Sequence, residues 1–304
     1  MIAKVLVTAS ILLVAASLRA EPWPSGGAFL DSAKLELASV HGVIVDLESG
    51  RTLYRKNADR VVSIASITKV MSAMVVLDSG ADLDAWLTIV ERRKPPANNA
   101  YTRLRIGSKA RRGDLLRIAL MASENQAAYV LARHHPGGLP AFVAAMNDKA
   151  GALGMRQTRF VDPTGLSINN RSTADDLLRL VRAAVGYRLI REFTNSTYHT
   201  VYFRNPSYRL GYGNTNGLTY RDRWDITLSK TGYLDEAGRS LILVTRIEER
   251  PVAMVLLDSF GRRTPVGDAG RVRRWLETGE SGPVAAAARR YERRKAAQIA
   301  NAGE

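Results

Sequence analysis

The hydrophobic pattern divides the chain into strands near both ends and helices between them. Short runs of β-branched, aromatic and aliphatic residues, each bounded by turn residues, are typical of strands. They occur at His41–Asp46, Thr52–Arg55, Trp86–Val90, Tyr198–Phe203, Ile226–Lys230, Leu241–Ile247 and Val252–Asp258. The last three follow one another through connections of only a few residues, which favours antiparallel neighbours.

Longer runs with helical spacing fill the middle of the chain. One is predicted within the stretch Val61–Leu77, where the helix starts at Ser66. The others are predicted at Gly113–Met121, Gln126–His135, Leu139–Leu153, Ala174–Val185 and Asp268–Glu277. Ala174–Val185 has the clearest start, because Ser172 and Thr173 precede Asp175 and Asp176 as in a capping box. We expect irregular structure at Glu91–Arg112 and Asn205–Arg223. The pattern predicts an α/β fold of the α+β type, in which helices flank one antiparallel sheet and an inserted helical subdomain lies between its strands.

The helix predicted within Val61–Leu77 also contains the first candidate for chemistry. Ser66 and Lys69 are three residues apart, so they are neighbours on one helix face. The rest of the helix is apolar almost all round, and burial lowers the pKa of a lysine until it can accept a proton from a serine. Most single S-x-x-K sequences, however, are a solvated serine near a solvated lysine.

Two further polar groups follow where predicted elements end. Ser123-Glu124-Asn125 closes the helical run before it, and Lys230-Thr231-Gly232 closes a strand. A second S-x-N occurs at Ser167-Ile168-Asn169 in a loop rich in Gly, Pro and Asn. We favour Ser123, because a helix end aims side chains into a cleft more rigidly than a loop does.

The first residues have the composition of an export signal. Lys4 precedes the short apolar run Val5–Ser17, and small residues follow, which predicts cleavage after Ala20 and a periplasmic protein. Retention of this segment as an anchor is the alternative. We therefore divide the chain into a signal peptide (1–20), an N-terminal segment (21–39), a catalytic domain (40–280) and a basic tail (281–304).

Charge and residue types restrict the possible partners. The net charge is +15, from 44 Lys and Arg against 29 Asp and Glu. In an exported protein this favours the cell wall or an acidic membrane surface over nucleic acid, although simple solubility explains it equally well. The tail, with five cations between Arg289 and Lys295, is predicted to be helical or disordered. The absence of cysteine excludes thiol chemistry, and the four histidines lack metal-site spacing, so we expect no metal and no cofactor.

The three motifs together resemble those of the low-molecular-mass penicillin-binding proteins, a serine peptidase family of D,D-carboxypeptidases and D-alanyl-D-alanine endopeptidases. The similarity runs from about Val40 to Gly279 and includes Phe160–Ser167 (FVDPTGLS), Tyr220–Thr231 and Asp268–Gly279. Tyr220–Thr231 and the short chain beyond Gly279 are more similar to the endopeptidase branch. The resemblance implies a β-lactamase/transpeptidase-like fold.

The resemblance also implies roles for the three catalytic candidates. Ser66 would attack the D-alanyl carbonyl and form an acyl-enzyme, and Lys69 would be its general base. Ser123 would relay a proton to the leaving amine. The implied substrate-binding residues are Asn125, Lys230, Thr231, Gly232 and Tyr233. Asn125 would hold the substrate amide and the Lys69 amine. Lys230 would lower the pKa of Lys69 and, with Thr231, attract a carboxylate of the substrate. Gly232 would leave room for the substrate at the strand edge. The backbone amides of Ser66 and Tyr233 would form the oxyanion hole.

Hydrolysis of D-alanyl–diaminopimelyl cross-links in peptidoglycan is thus the leading hypothesis, with β-lactams as covalent inhibitors. A D,D-carboxypeptidase would use the same residues on uncrosslinked stems. A class A β-lactamase is less favoured, because no counterpart of its deacylating glutamate is evident. A non-catalytic wall-binding protein would not need the intact set of motifs.

Overall fold

The computed structural model of the chain describes residues 30–92 and 101–301, with side chains as far as residue 298. The predicted signal peptide and part of the Glu91–Arg112 stretch lie outside the described residues. The strands are β1 (His41–Asp46), β2 (Thr52–Lys56), β3 (Val62–Ser63), β4 (Trp86–Thr88), β5 (Lys109–Arg111), β6 (Arg171–Ser172), β7 (Tyr198–Phe203), β8 (Tyr208–Gly213), β9 (Asp225–Leu234), β10 (Gly238–Ile247) and β11 (Arg250–Ser259). The helices are α1 (Thr68–Asp78), α2 (Arg112–Met121), α3 (Asn125–Arg133), α4 (Gly138–Ala152), α5 (Ala174–Val185), α6 (Arg188–Asn195), α7 (Thr264–Thr278) and α8 (Ala286–Asn301).

Five strands form the main sheet in the order β2-β1-β11-β10-β9, and every neighbouring pair is antiparallel. The central strands β10 and β11 are buried on both faces, which explains their nearly continuous apolar runs. β9 lies at an edge, so one row of its backbone groups has no neighbour within the sheet. The sequence-based fold class, an antiparallel sheet flanked by helices with a helical insertion, is confirmed.

The sheet separates two hydrophobic cores. The larger one lies between the sheet and the inserted helices, where Val70, Met71 and Met74 of α1 have no solvent exposure. The smaller one lies on the other face against α7, centred on the buried Trp275. A helix that is apolar all round belongs inside a protein, and α1 accordingly runs through the larger core.

Several predicted elements have the bounds that the sequence indicated, including β1, α5 and β7. Other predictions were wrong. The region predicted as the loop Asn205–Arg223 contains β8, and the stretch Glu91–Arg112 contains β5. Both strands exist because they pair with a neighbour: β8 pairs with β7, and β5 with β4. The helix with the S-x-x-K pair was predicted to start at Ser66. Ala65–Ile67 instead forms a 3₁₀ turn, and α1 begins at Thr68. Earlier in the same stretch, Val62–Ser63 pairs with β6 as a short strand.

The predicted basic tail is helical and docks on the rest of the chain. Val284 and Ala288 are buried against Ala38, and the Tyr291 hydroxyl donates a hydrogen bond to Asp258. Ion pairs join the tail to the domain at Arg289–Glu36, Lys56–Glu292 and Lys295–Asp258. The tail therefore contributes packing to the domain. Among the described helices, none is both long enough and apolar enough to span a bilayer.

Candidate active site

A cleft of about 510 Å³ brings the three motifs together. It lies between the turn before α1, the junction of α2 with α3, and the edge strand β9. Six of the eight predicted site residues line it: Ser66, Ser123, Asn125, Thr231, Gly232 and Tyr233. The two lysines, Lys69 and Lys230, lie behind its wall, each with only 1% of its surface exposed.

Ser66 sits on a tight 3₁₀ turn, Ala65–Ile67, that leads into α1. Ala65 has φ 46°, a backbone conformation that costs a non-glycine residue about 1–3 kcal/mol and is found mainly at functional sites. Gly165 packs directly on this turn, since a Cβ at that position would lie 2.0 Å from the Ala65 carbonyl oxygen. The turn is thus held between α1 and a neighbouring loop, with Ser66 facing the cleft.

Lys69 Nζ makes three polar contacts that tie the site together. It lies 2.8 Å from Ser66 Oγ, 2.7 Å from Asn125 Oδ1 and 2.5 Å from the Thr164 carbonyl oxygen. Burial lowers the pKa of Lys69 to about 7, although the charges of nearby carboxylates oppose that change. A substantial fraction of this amine is therefore neutral near neutral pH and able to accept a proton.

The three contacts also determine where a neutral amine points its lone pair. An ammonium group has three N–H donors, whereas a neutral amine has two and a lone pair. The oxygens of Asn125 and Thr164 are carbonyls and can only accept, so they take the two N–H groups. The lone pair then faces Ser66 Oγ, and the serine hydroxyl becomes the donor. This is the arrangement that general-base activation of a serine requires.

Ser123 occupies the bend between α2 and α3 with φ 59°, a second strained position at the cleft. Glu124 is the N-cap of α3, and its Oε1 accepts a hydrogen bond from the Gln126 amide at 3.1 Å. Burial raises the pKa of the Glu124 carboxyl. The alternative S-x-N does not line the cleft; the Ser167 amide donates to Asp162 instead. The geometry therefore favours Ser123 and Asn125 over Ser167 and Asn169.

The third motif lies on the edge strand β9, beside the Ser66 turn. Lys230 Nζ donates to the Thr231 carbonyl oxygen at 2.9 Å. Burial, followed by the positive charge of Lys69, lowers the pKa of Lys230 well below its ordinary value. Burial is the main reason why the pKa of each lysine is low, and the charge of Lys69 adds to the effect on Lys230. That Lys230 in turn lowers the pKa of Lys69 stays a prediction.

Gly232 and its neighbours define the wall opposite Ser66. A Cβ at Gly232 would lie 3.2 Å from the Ile64 carbonyl oxygen and 3.5 Å from Ala65 Cβ. The missing side chain therefore lets β9 approach the Ser66 turn. Thr231 Oγ1 shares a hydrogen bond of 2.6 Å with Thr215 Oγ1. Tyr233 is 38% exposed and lies beneath the Arg239 guanidinium.

Sequence reasoning identified Phe160–Leu166 as a loop but missed that this loop supports Lys69 from behind. Asp162 accepts hydrogen bonds from the amides of Thr164, Gly165 and Ser167 at 2.6–2.9 Å. Asn170 is fully buried, and its amide nitrogen donates to Thr68 Oγ1 on α1. These contacts position the Thr164 carbonyl that Lys69 binds. The Asp-Pro-Thr-Gly sequence signalled a turn, but a backbone carbonyl has no sequence signature of its own.

The described residues offer no group of three or more His, Asp or Glu side chains suited to a metal ion. Three of the histidines have specific polar partners: Nδ1 of His41 lies 3.0 Å from the Asn57 carbonyl oxygen, Nδ1 of His134 lies 2.9 Å from the Val130 carbonyl oxygen, and Nε2 of His199 lies 2.7 Å from Asp114. The polar groups in and behind the wall of the cleft are hydroxyls, amides, amines and the guanidinium groups of Arg239 and Arg262, and the serine and lysine among them suit acyl transfer.

A family profile described as D-alanyl-D-alanine carboxypeptidase, peptidase family S11, matches residues 29–261. This chain belongs to that family. It is 48% identical over 269 residues to a D-alanyl-D-alanine endopeptidase of Escherichia coli K12, covering 88% of this chain and 87% of the relative. A D-alanyl-D-alanine endopeptidase of Pseudomonas aeruginosa is 48% identical over 280 residues, covering 92% and 89%. The resemblance recognised from the motifs is thereby confirmed.

Solved structures of two other proteins share the fold. The Streptomyces K15 DD-transpeptidase superposes with a TM-score of 0.73 at 27% identity, covering 80% of this chain and 98% of that one. The penicillin-binding protein D2 of Listeria monocytogenes, in an ampicillin-bound form, superposes with a TM-score of 0.68 at 27% identity, covering 80% and 98%. The chain is therefore a hydrolase of the serine D,D-peptidase type.

Proposed function

We propose that this protein is a periplasmic D-alanyl-D-alanine endopeptidase that hydrolyses D-alanyl–diaminopimelyl cross-links of peptidoglycan through an acyl-enzyme on Ser66. The observation that carries the proposal is the contact of 2.8 Å between Ser66 Oγ and a buried Lys69 whose pKa is lowered to about 7. Two relatives at 48% identity are named endopeptidases, which supports cross-links as the substrate.

Acylation begins with the attack of Ser66 Oγ on the D-alanyl carbonyl carbon. The C–O bond forms as the hydroxyl proton moves to the lone pair of Lys69. The carbonyl oxygen becomes an oxyanion, which the backbone amides of Ser66 and Tyr233 stabilise. The close approach of Gly232 to the Ser66 turn supports this role, because it brings the strand that contains Tyr233 beside Ser66.

The tetrahedral intermediate collapses when the leaving amine receives a proton. Ser123 relays that proton from Lys69 as the C–N bond breaks, and the acceptor stem leaves with a free amine. A water molecule then attacks the ester, Lys69 again takes the proton, and Ser66 is released with the donor stem ending in a D-alanine carboxylate. The lining of the cleft by both serines supports this sequence.

The edge strand β9 orients the substrate. An extended peptide can add to an exposed strand through backbone hydrogen bonds. Asn125 Oδ1 accepts a hydrogen bond from Lys69 Nζ, so the Nδ2 of the same side chain points away from Lys69 and can donate to a substrate carbonyl. Thr231 offers its hydroxyl to a substrate carboxylate. The negative charge of that carboxylate raises the pKa of Lys230 and so favours its protonated form, because opposite charges attract.

A digest of purified cross-linked muropeptides, weighed by mass spectrometry, tests the proposal. The wild-type protein should convert dimers to monomers, and Ser66→Ala should not. Ser167→Ala, the serine of the alternative motif, is the matched control and should cleave as the wild type does. Loss of a single alanine from uncrosslinked stems would instead indicate a D,D-carboxypeptidase, the second candidate, which the description of the family favours.

Covalent labelling by a β-lactam provides an independent measurement. Penicillin should add to Ser66 as a stable acyl group detected by intact mass, and Ser66→Ala should remain unlabelled with its folded state intact. An adduct on that variant would exclude Ser66 as the nucleophile and redirect attention to Ser123.

A further inference from the structure

The hairpin of β7 and β8 has one face in the core and one face in solvent. On the inner face, Val201, Phe203 and Tyr212 are buried in the larger core. The outer face carries three residues of β7 and their register partners on β8, which are the pairs Tyr198 with Gly213, Thr200 with Gly211, and Tyr202 with Arg209. We call Tyr198, Tyr202 and Arg209 the tyrosine shelf.

The two tyrosines of the shelf are exposed to an unusual degree. Tyr198 is 65% exposed and Tyr202 is 61% exposed, although aromatic side chains are normally buried for most of their surface. Neighbouring exposed aromatic rings on one strand face are more often a binding surface than a folding requirement. Their Cα atoms are four residues apart along an extended strand, a separation of about 13 Å.

Glycine on the facing strand keeps the shelf flat. A Cβ at Gly211 would lie 1.9 Å from the Tyr198 hydroxyl, so the ring lies across the bare backbone of β8. Gly213, beside it, similarly leaves room for the Tyr220 hydroxyl, which a Cβ would approach to 3.0 Å. A ring held against backbone presents its other face to solvent, as a planar ligand or a sugar ring requires.

The charge of the hairpin selects against a cationic ligand. The segment Tyr198–Gly213 contains Arg204 and Arg209 and no acidic residue. Arg103, whose guanidinium lies over the Tyr212 ring, donates to the Gly211 carbonyl oxygen at 2.6 Å and adds positive charge near the hairpin. A neutral or anionic polymer therefore fits this face better than a basic one.

The strand that carries Arg209 leads directly into the wall of the catalytic cleft. Asn214 and Thr215, which line the cleft, directly follow the last residue of β8. The Asn214 amide is fixed by the Thr197 carbonyl oxygen at 2.9 Å, and the Thr215 amide by the Met121 carbonyl oxygen at 3.0 Å. A polymer whose peptide branch enters the cleft thus has its backbone within reach of the hairpin.

We propose that the tyrosine shelf binds the glycan strand of the polymer whose stem peptide occupies the cleft. The apolar C–H faces of the pyranose rings pack on Tyr198 and Tyr202, and their hydroxyls remain in water. Arg209 pairs with a carboxylate of a peptide stem. This inference rests on the proposed function, because the polymer is the one that carries the cross-linked stems.

Two double variants separate ring stacking from general apolar contact. Tyr198→Leu with Tyr202→Leu removes the rings but keeps apolar side chains, whereas Tyr198→Phe with Tyr202→Phe keeps the rings. Binding is measured to glycan strands freed of their stem peptides. We expect the leucine pair to bind about tenfold more weakly, because it loses two aromatic contacts that together account for this change in affinity. The phenylalanine pair should bind within about twofold of the wild type, because it keeps both rings.

Digestion rates connect binding to catalysis. The leucine pair should release fewer products from intact sacculi but hydrolyse small soluble dimers at the wild-type rate, because a dimer without a long glycan does not reach the shelf. Arg209→Gln should weaken binding to sacculi and leave binding to stem-free glycan unchanged. The melting temperature of each variant verifies that it is folded.

Several results would overturn the proposal. One is that the leucine pair and the wild type bind glycan with equal affinity. A second is that the leucine and phenylalanine pairs lose the same amount of glycan affinity. A third is that the protein binds vesicles of anionic lipid through these rings but does not bind glycan. A change from dimer to monomer in the leucine pair would assign the face to self-association. If the wild type binds glycan but never cleaves dimers, the proposed function fails and the shelf stands.

Discussion

The pH dependence of acylation tests the role of Lys69 most directly. Its pKa of about 7 means that the amine loses its proton, and becomes able to act as a base, as the pH rises through that value. The neutral fraction grows from about 1% at pH 5 to about 90% at pH 8. For an exposed lysine with a pKa of about 10.5, the fraction at pH 8 would be only about 0.3%, so burial increases the reactive form about 300-fold.

The rate constant for acylation by a chromogenic β-lactam should therefore rise about 90-fold in total from pH 5 to pH 8. The slope should be close to tenfold per pH unit well below pH 7, and the rate constant should level off above pH 7. Lys69→Arg should lose both the rise and about 10²–10⁴-fold in rate, because a guanidinium stays protonated and cannot act as a base. Stopped-flow absorbance with single-turnover analysis isolates the acylation step. A flat wild-type profile, or a rise that persists in Lys69→Arg, would refute the reasoning.

Lys230→Arg is the variant matched to Lys69→Arg, because it makes the same substitution, a guanidinium for an amine, at the other buried lysine. We expect it to keep a measurable rate and the rise with pH. The midpoint should move to lower pH, because a permanent positive charge nearby disfavours the protonated form of Lys69. A profile like that of Lys69→Arg would show that the two lysines do not divide the work in this way.

Three further predictions concern the surroundings of the site. Glu124→Gln should move the acylation midpoint to lower pH, because the Glu124 charge raises the pKa of Lys69; a move to higher pH would contradict this. Gly165→Ala should lower the free energy of unfolding by about 1–3 kcal/mol more than the control Gly50→Ala. Both glycines have positive φ, but only a Cβ at Gly165 would clash with the Ala65 backbone. Equal losses of stability in urea titrations would exclude that clash as the cause. Arg290→Gln with Arg293→Gln, on exposed positions of α8, should weaken low-salt sacculus binding without changing hydrolysis of soluble dimers; unchanged binding would leave only a role in solubility.

The sequence was most informative where local patterns and tertiary packing agree. α5 has its cap residues, its acidic first turn and one apolar face, and its predicted bounds match the structure. The S-x-x-K pair was readable because two residues three apart on a helical turn must be neighbours. The α2–α3 junction lies where its motif predicted a helix end. The strand predicted to end at Lys230 instead runs on to Leu234, so Lys230-Thr231-Gly232 lies within β9 and not at its end.

Features that depend on distant partners were not readable. β8 carries Gly211 and Gly213, which weaken a strand signal, and it is a strand because β7 supplies its hydrogen bonds. The tail lacked an apparent apolar stripe, yet Val284 and Ala288 suffice to dock it once Ala38 is beside them. Truncation of the whole tail would therefore remove packing as well as charge. Neutralising Arg290 and Arg293 is thus the cleaner test of whether the charge of the tail binds the cell wall.

The local strain and buried charge of the site explain why residues without chemistry are tightly constrained. Ala65 and Ser123 hold positive φ angles, and Lys69 must remain buried with its pKa well below its ordinary value. Left alone, the turn would relax and the amine would move to water, because both changes lower the free energy. The loop around Asp162 opposes them, since it seats Gly165 on the Ser66 turn and presents the Thr164 carbonyl to the amine. Nucleophilicity at Ser66 is thus a property of this loop as much as of the serine and its lysine.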